Sequence, residues 1–355
     1  MSVKGRCFGG KPTGKVEPGR IESRLLEGCW KLKLEEICMS DDEGMEDLVT
    51  EEMLWDRIPE VEGAERASTY YELSARIFAR GQYDEALALA ETACDIYDQL
   101  GASAPSEGVA QAYSAIGYNL NQLKRMDEAA TAMSKAVEIL RANKSSIALE
   151  LACTLGEWWF ASKNFEKVIS TMDECAQEHL LDGNEYGAAN DLYLIGCAHR
   201  SLKNFREAIV SFYEARDLFK RNKEVIQVAR CDQKIASCHV ALGEGDLALI
   251  RARKALDVFE TAHDHIRSNN ALFEYGKAQV LLENYEEGLN TLDQVLTVAT
   301  DEEPKDFEFI VDIETSMAAV MRILGRNTEA AEIDRRLISV REALADEVEG
   351  EANNF

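Results

Sequence analysis

The 355-residue sequence predicts an all-α solenoid of about seven antiparallel helix pairs. First, a template of small and large apolar residues recurs about every 40 residues, a period typical of stacked helical repeats. Second, the apolar residues of each copy follow the i, i+3, i+4 and i+7 spacing of one helix face. Third, the chain has only 5 prolines, and strand-like alternation of apolar and polar residues is scarce. In such an array, function belongs to a surface rather than to a pocket.

The fourth copy of the template is the clearest. It consists of Leu192, Ile195, Gly196 and His199 on a first helix, then Phe205, Ala208, Phe212 and Ala215 on a second. The other strong copies align on a small first-helix residue, namely Gly117, Gly156, Ala236 and Gly276. Because a small residue lets the neighbouring helix approach closely, we expect Gly196→Leu to overpack this contact.

Short turns separate the two helices of each pair. Some contain asparagine, as at Asn164 and Asn204, and others contain glycine, as at Gly81, Gly243 and Gly325. A helix end that needs left-handed backbone geometry favours glycine or asparagine. We therefore expect these residues to have positive φ.

The two ends of the chain differ from the array, which is predicted to cover residues 67–345. Residues 1–66 form a leader, basic and then acidic, that is predicted to be largely disordered, and residues 346–355 form an acidic disordered tail. The codons for Glu35 to Met39 could form a purine-rich stretch followed by a start codon. One hypothesis is therefore that natural translation begins at Met39 and that residues 1–38 are not native.

Charge and cysteine usage restrict the class of partner. The formal net charge is −26, which disfavours direct binding to nucleic acid or to an anionic membrane. The 9 cysteines are scattered, and most lie at helical core spacing, as expected of reduced thiols in a cytoplasmic protein. The sequence shows neither a membrane-spanning apolar stretch nor a signal-peptide core.

In this register the chain resembles the tetratricopeptide repeat family. The residues that carry the resemblance are Leu192-x2-Ile195-Gly196-x2-His199 and Ala208-x3-Phe212, repeated in the other copies. The terminal proline of the family is missing and the period is longer, as in kinesin light chains and bacterial peptide-sensing regulators. The resemblance implies a right-handed superhelix whose concave face, built mainly from first helices, holds peptides or partner helices. The carboxylate clamp of chaperone-binding members is not reproduced.

A polar stripe at i, i+3, i+7 and i+10 of each first helix is the predicted binding groove. Its members are Tyr71, Gln111, Tyr118, Asn121, Asn190, Tyr193, Arg200, Arg230, Gln233, Asn270, Phe273 and Lys277. Within this groove, Arg200, Arg230 and Lys277 form a basic column in an otherwise acidic protein. We expect it to bind a peptide that carries an acidic group.

Other sequence features point to chemistry only weakly. Gly9-x4-Gly14-Lys15 lacks the hydroxyl residue that a phosphate-binding loop needs after the lysine, since Val16 follows. Cys197, His199, Cys231, Cys238 and His239 could hold zinc, but both histidines lie where the repeat template requires a packing aromatic residue. We therefore predict no cofactor, no metal and no enzymatic activity.

The function predicted from the sequence is a protein-interaction module, an adaptor, scaffold or regulatory sensor, that binds a peptide or partner protein. Three alternatives stay open: an acidic decoy that occupies a nucleic-acid-binding partner, a signalling regulator detached from its effector domain, and a structural subunit of a larger assembly. Binding by a decoy should weaken steeply with salt and survive mutation of Arg200 and Arg230. The sequence does not determine the oligomeric state.

Overall fold

The computed structural model describes residues 49–301 and 306–338, which are helical and contain no strand. The helices are α1 (Glu51–Arg57), α2 (Gly63–Ala79), α3 (Tyr83–Leu100), α4 (Ser106–Gln122), α5 (Met126–Ala142), α6 (Ala148–Ala161), α7 (Phe165–Leu181), α8 (Glu185–Ser201), α9 (Phe205–Arg221), α10 (Val225–Ala241), α11 (Gly245–Thr261), α12 (His265–Leu281), α13 (Tyr285–Asp301), α14 (Phe307–Ile323) and α15 (327–338). Short 3₁₀ turns follow α1, at Ile58–Glu60, and α3, at Gly101–Ser103.

After α1 the helices form seven pairs, which we number units 1 to 7, from α2 with α3 to α14 with α15. The first helices α8, α10 and α12 begin at Glu185, Val225 and His265, so units 4 and 5 repeat with the predicted period of 40 residues. Each helix packs against the helix before it and the helix after it. The predicted solenoid of helix pairs is thus confirmed.

First helices of neighbouring units approach each other more closely than second helices do. Direct contacts join α2 with α4, α6 with α8, α10 with α12, and α12 with α14. The backbones of neighbouring second helices do not approach each other to this extent within the described residues. First helices therefore line the inner face of the array, and second helices line the outer face.

Small residues of the first helices allow the close pairing inside each unit. Gly156 faces Met172 and Gly276 faces Leu292, in both cases a second-helix residue. At Gly117 an added Cβ would lie 3.2 Å from the carbonyl oxygen of Ala129. These contacts confirm that the recurring glycines are positions of close helix approach.

The left-handed residues of the turns are only partly those expected. Gly81, Gly243 and Gly325 have positive φ, as predicted. In the other units the left-handed residue is charged, at Lys124, Lys163, Lys203 and Glu283. The prediction for asparagine was wrong, since Asn164 and Asn204 have φ of −85° and −82°.

The hydrogen bonds of these turns explain the difference. Lys203 N–H donates to the Arg200 carbonyl at 3.0 Å, and Asn204 N–H donates to the His199 carbonyl at 2.9 Å. In this helix-ending pattern the left-handed residue is the one directly after the C-cap, whatever its side chain. The asparagine comes one residue later and begins the second helix.

The segment 51–66, placed in the leader by the sequence, is mostly helical. Thr50 caps α1 by accepting a hydrogen bond from Met53 N–H at 3.2 Å, and Leu54 is fully buried against the first unit. Helix α2 begins at Gly63, before the predicted start of the array at residue 67. Residues 1–48, with the proposed start at Met39 and the Gly9–Lys15 motif, lie outside the described residues, as does the tail at 346–355.

Candidate functional site

The predicted groove residues lie on the first helices, which line the inner face of the array. Ten of the twelve are half-buried, which is typical of side chains along the wall of a groove. Tyr118 and Phe273 are buried instead, with 8% and 6% of their surface exposed. The ring of Tyr118 packs edge-on against Trp158 at 5.3 Å, and Phe273 packs in the same way against Phe309. These two residues support the wall and offer little surface to a ligand.

Burial also changes the chemistry of the two tyrosines at the N-terminal end of the groove. Loss of hydration raises the pKa of Tyr118 to about 12, opposed in part by a hydrogen bond with Thr154. Burial, with a smaller contribution from Glu72, raises the pKa of Tyr71 to about 12. Both phenols are therefore neutral at physiological pH, and neither can act as an anionic or general-base group.

Two of the three basic residues of the predicted column are held by the protein itself. The Arg230 guanidinium lies over the Tyr193 ring, 4.8 Å from its centroid, and donates a hydrogen bond to Gln227 Oε1 at 2.8 Å. Lys277 Nζ lies 3.0 Å from Glu274 Oε2 and 4.5 Å from the centroid of Phe273. These contacts fix the direction of both side chains, and the charge of Lys277 is already paired.

Arg200 differs from its neighbours in the column. It is half-buried, and its Nε is buried without a hydrogen-bond partner. Within the described residues, no carboxylate oxygen lies within 4.0 Å of its guanidinium. A guanidinium without an anionic partner can donate charge-assisted hydrogen bonds to an acidic group of a ligand. Arg200 is therefore the member of the column whose guanidinium has hydrogen-bond donors available for a ligand.

The inner face changes sign along its length. Unit 3 contributes none of the twelve predicted residues, but Glu150 and Glu157 hold the corresponding positions on its first helix, whereas units 4 to 6 present Arg200, Arg230 and Lys277. Burial raises the pKa of the Glu150 carboxyl, and its Oε1 is buried without a hydrogen-bond partner. A segment bound along the groove would meet an acidic wall first and a basic wall after it.

A depression of about 790 Å³ lies away from this stripe, between α7 and α9. It is lined by Leu180, Leu192, Glu214, Asp217, Leu218, Lys220 and Arg221. None of the predicted groove residues belongs to it. A groove formed by successive helices is open along its length, so its binding surface need not coincide with a closed cavity.

The structure does not gather the cysteines and histidines that the sequence singled out for zinc. His239 Nδ1 lies 2.6 Å from Glu244 Oε2, and Cys238 is fully buried. Burial raises the pKa of Cys238 to about 12, so its thiol stays protonated. His239 and Cys238 are thus both part of the buried interior of α10.

A different group does come together between units 3 and 4. Ligand atoms of Cys153, His179 and Asp191, one on each of α6, α7 and α8, all lie within 4.8 Å of one another. It is the one group of three such residues found in the described ranges. Sequence reasoning missed this group. The one signal near it was the pair Cys175 and His179, four residues apart on α7, a spacing that often presents two ligands on one face of a helix. Cys175 itself is not one of the three residues.

Asp191 is the most buried member of this group, with 5% of its surface exposed. Its Oδ2 lies 2.7 Å from His179 Nδ1, and its Oδ1 lies 3.9 Å from Cys153 Sγ. Loss of hydration raises the pKa of Asp191 to about 6, although the hydrogen bond with His179 opposes this. A hydrogen bond with Cys175, and then burial, raise the pKa of the Cys153 thiol.

Comparison with known proteins identifies the repeat. A family model for the tetratricopeptide repeat matches residues 110–143, which cover most of α4 and α5. No curated protein shows significant similarity to the sequence. Among the described residues, no helix is long and apolar enough to cross a membrane.

Solved structures with the same fold are similar at low sequence identity. One is a signal transduction ATPase with a tetratricopeptide repeat sensor from Pyrococcus horikoshii, with 15% identity and a TM-score of 0.58 over 92% of this chain. The chain spans about half of that protein, 49% of its length. Aspartyl phosphate phosphatase F from Bacillus subtilis has 15% identity and a TM-score of 0.51, with 94% of this chain and 96% of the other covered.

The apo form of RapI is a third, with 15% identity and a TM-score of 0.52 over 79% of this chain and 99% of its own. At these identities the likeness concerns the fold and not the activity. Together with the matched repeat and the seven stacked pairs, it shows that this helical array has the fold of a tetratricopeptide-repeat solenoid.

Proposed function

We propose that the chain is a non-enzymatic, cytoplasmic interaction module that holds an extended or helical peptide segment of a partner protein on the inner face of its first helices. It would act as an adaptor, a scaffold or a regulatory sensor. The observation that carries the proposal is Arg200, a half-buried guanidinium on that face with no carboxylate oxygen of the described residues within 4.0 Å.

The chemistry around Arg200 favours an acidic group on the ligand. A guanidinium with an unused donor forms a strong, directional hydrogen bond with a carboxylate. Asn190 lies ten residues earlier on α8, and Asn270 holds the same place on α12. Their amides can both donate to and accept from the backbone of an extended peptide. Arg230, fixed over Tyr193, would add attraction without a large loss of side-chain freedom.

A phage-displayed library of random peptides, selected on the immobilised full-length chain, tests the proposal. We expect the enriched peptides to share an aspartate or glutamate. Arg200→Gln should weaken the binding of a synthetic enriched peptide about 30-fold or more in fluorescence polarisation, because the acidic group loses its charged donor. Arg206→Gln is the matched control, since Arg206 lies on α9 with 78% of its side chain exposed.

Two results would contradict the proposal. One is enrichment of peptides without any acidic position. The other is an enriched peptide that binds Arg200→Gln and the wild type equally well.

The net charge of −26 supports a second candidate, an acidic decoy that occupies a nucleic-acid-binding partner through its outer face. The same selection separates the two functions. A decoy would enrich basic peptides, whose binding falls steeply between low and physiological salt and is unaffected by Arg200→Gln.

A further inference from the structure

A group of three potential metal ligands lies at the junction between units 3 and 4 and does not include Arg200. Here Cys153 on α6, His179 on α7 and Asp191 on α8 bring a thiol, an imidazole and a carboxylate within 4.8 Å of one another. These are the three types of side-chain ligand that bind zinc in proteins. Each belongs to a different helix, so the fold alone brings them together.

We propose that Cys153, His179 and Asp191 bind one divalent transition metal ion, Zn²⁺ being the ion that fits best, and that the ion links units 3 and 4.

The separations of the ligand atoms are close to those of a tetrahedral zinc site. Bond lengths of about 2.0 Å to nitrogen or oxygen and about 2.3 Å to sulfur place neighbouring ligand atoms about 3.3 to 3.8 Å apart. His179 Nδ1 lies 2.7 Å from Asp191 Oδ2, and Cys153 Sγ lies 3.9 Å from Asp191 Oδ1. The third separation, between the ligand atoms of His179 and Cys153, is at most 4.8 Å. Side-chain rotations that move the ligand atoms by about 1 Å would bring the three separations to the tetrahedral values.

The charge balance at this junction also favours a cation. In the next junction another buried carboxylate, Asp232, accepts hydrogen bonds from Arg216 at 2.9 Å and Arg251 at 2.8 Å. Asp191 is buried to a similar degree, but its partners are an imidazole and a thiol. Within the described residues, no lysine or arginine nitrogen lies within 4.0 Å of Asp191. A metal ion would supply the positive charge that two arginines supply to Asp232.

The absence of a side chain at Gly187 leaves space for the imidazole of His179. A Cβ at this position would lie 2.9 Å from both Cδ2 and Cε1 of His179, and 2.6 Å from Asn184 Nδ2. Gly187 is one turn before Asp191 on the same helix. The absence of a side chain at 187 therefore lets His179 reach Asp191, which is how a metal ligand is usually oriented by its surroundings.

Cys175 is the candidate for a fourth ligand. It is fully buried on α7, one turn before His179, and its thiol lies within hydrogen-bonding reach of Cys153. It lies outside the group of three, so its thiol would have to turn toward the ion. Cysteine, cysteine, histidine and aspartate would then complete a tetrahedral site with no open position.

The test uses the full-length chain, purified with a phosphine reductant, treated with EDTA and dialysed. Titration with CoCl₂ should give the visible bands of tetrahedral cobalt and a thiolate-to-cobalt charge-transfer band, with saturation at one equivalent. Subsequent ZnCl₂ should remove these bands. Calorimetry with ZnCl₂ in buffers of different ionisation enthalpy should show proton release, because a bound cysteine loses its proton.

Variants assign the site. Cys153→Ser and His179→Gln should each lower the zinc affinity by about 100-fold or more. Asp191→Asn keeps the volume of the side chain and should also weaken binding, so the test does not depend on one variant that folds poorly. Gly187→Ala removes no ligand but should weaken binding through His179. Cys175→Ser should abolish part of the charge-transfer intensity.

Two control residues of the same types lie outside the junction of units 3 and 4. His239 contacts Glu244 at 2.6 Å without a cysteine in the group, and Cys94 is a buried free thiol in unit 1. His239→Gln and Cys94→Ser should bind zinc as the wild type does. Circular dichroism confirms that each variant is folded.

The proposal is overturned if the folded wild type gives no tetrahedral cobalt spectrum, or if Cys153→Ser and His179→Gln bind zinc as tightly as the two controls. The outcome does not depend on peptide binding at Arg200, which is measured separately.

Discussion

The Phe212 ring lies directly against the backbone of Gly196, so that a Cβ at residue 196 would be 2.7 Å from both Cδ1 and Cε1 of the ring. Unit 5 has Ala236 and Ala252 at the two equivalent places, 40 residues later. A large residue thus pairs with glycine in one unit, and two alanines pair in the next. The two residues share one volume, and either can take the larger part of it.

We expect Gly196→Ala to lower the free energy of unfolding by about 1–3 kcal/mol, because the new methyl group overpacks the ring. Urea unfolding followed by circular dichroism measures the change. In a Phe212→Ala background the same substitution should cost nothing, since the ring is no longer there.

Ala236→Gly is the control for the intrinsic preferences of the helix. It should destabilise the protein by about 1–2 kcal/mol, through backbone entropy and the loss of one buried methyl group. Equal costs for Gly196→Ala in the two backgrounds would show that the residues do not share a volume.

A second prediction concerns Lys203, whose φ is 61° in the turn between α8 and α9. A side chain in this backbone region costs about 1 kcal/mol or more relative to glycine. Lys203→Gly should therefore stabilise the protein by about 1 kcal/mol, measured as a higher midpoint of urea unfolding. Lys254→Gly, at an exposed position inside α11, should lower the midpoint instead. A loss of stability in both variants would contradict the assignment of the left-handed residue.

A third prediction follows from the buried phenol of Tyr118, whose pKa is raised to about 12. The folded state keeps its proton above pH 10, where the unfolded chain has released it. The stabilisation is complete below about pH 10 and is lost as the pH rises through 12. Stability should thus fall by about 2–3 kcal/mol over this range through Tyr118 alone.

Urea unfolding at pH 9 and pH 11.5 checks the sign. Tyr118→Phe should lose less stability than the wild type between these pH values. Tyr186→Phe, which removes an exposed hydroxyl on α8, should lose as much as the wild type. If Tyr118→Phe behaved like Tyr186→Phe, the phenol would not be buried as the structure has it.

The fourth prediction concerns the buried carboxylate of Asp232, which binds Arg216 and Arg251. Asp232→Asn should destabilise the protein by about 3 kcal/mol, because two partly buried guanidiniums lose their anionic partner. Asp257→Asn is the control: this aspartate pairs with Arg253 at 2.9 Å, but 55% of its side chain is exposed. Its loss should cost less than about 1 kcal/mol. Equal midpoints of unfolding for the two variants would contradict a structural role for Asp232.

Much of the fold could be predicted from the sequence because each unit repeats the same steric requirement. Gly156, Gly196 and Gly276 mark where a second helix packs, and they are separated by one and by two periods of 40 residues. The helix at Glu51–Arg57 was missed because its composition is acidic, like that of a disordered segment. Its signals were the cap at Thr50 and the apolar pair Leu54 and Ile58, four residues apart.

The candidate sites were harder to predict because they depend on contacts between units. The stripe on each first helix was predicted, but the burial of Tyr118 depends on Trp158 in the following unit. The group at the junction of units 3 and 4 combines residues 38 positions apart, Cys153 and Asp191. Periodicity within a unit contains no information on how two units meet, so neither contact could be predicted from it.

The junctions differ in the polar groups that join them. Arg141 in unit 2 pairs with Glu178 at 3.1 Å, His179 in unit 3 meets Asp191, and Arg216 in unit 4 meets Asp232. Each interface between units therefore has its own polar pair, although the helices of different units are similar in length and packing. A chimaera that exchanges units 3 and 4 would separate Arg141 from Glu178, His179 from Asp191 and Arg216 from Asp232. Exchange or removal of a unit would therefore remove polar pairs that an array of identical consensus repeats would keep.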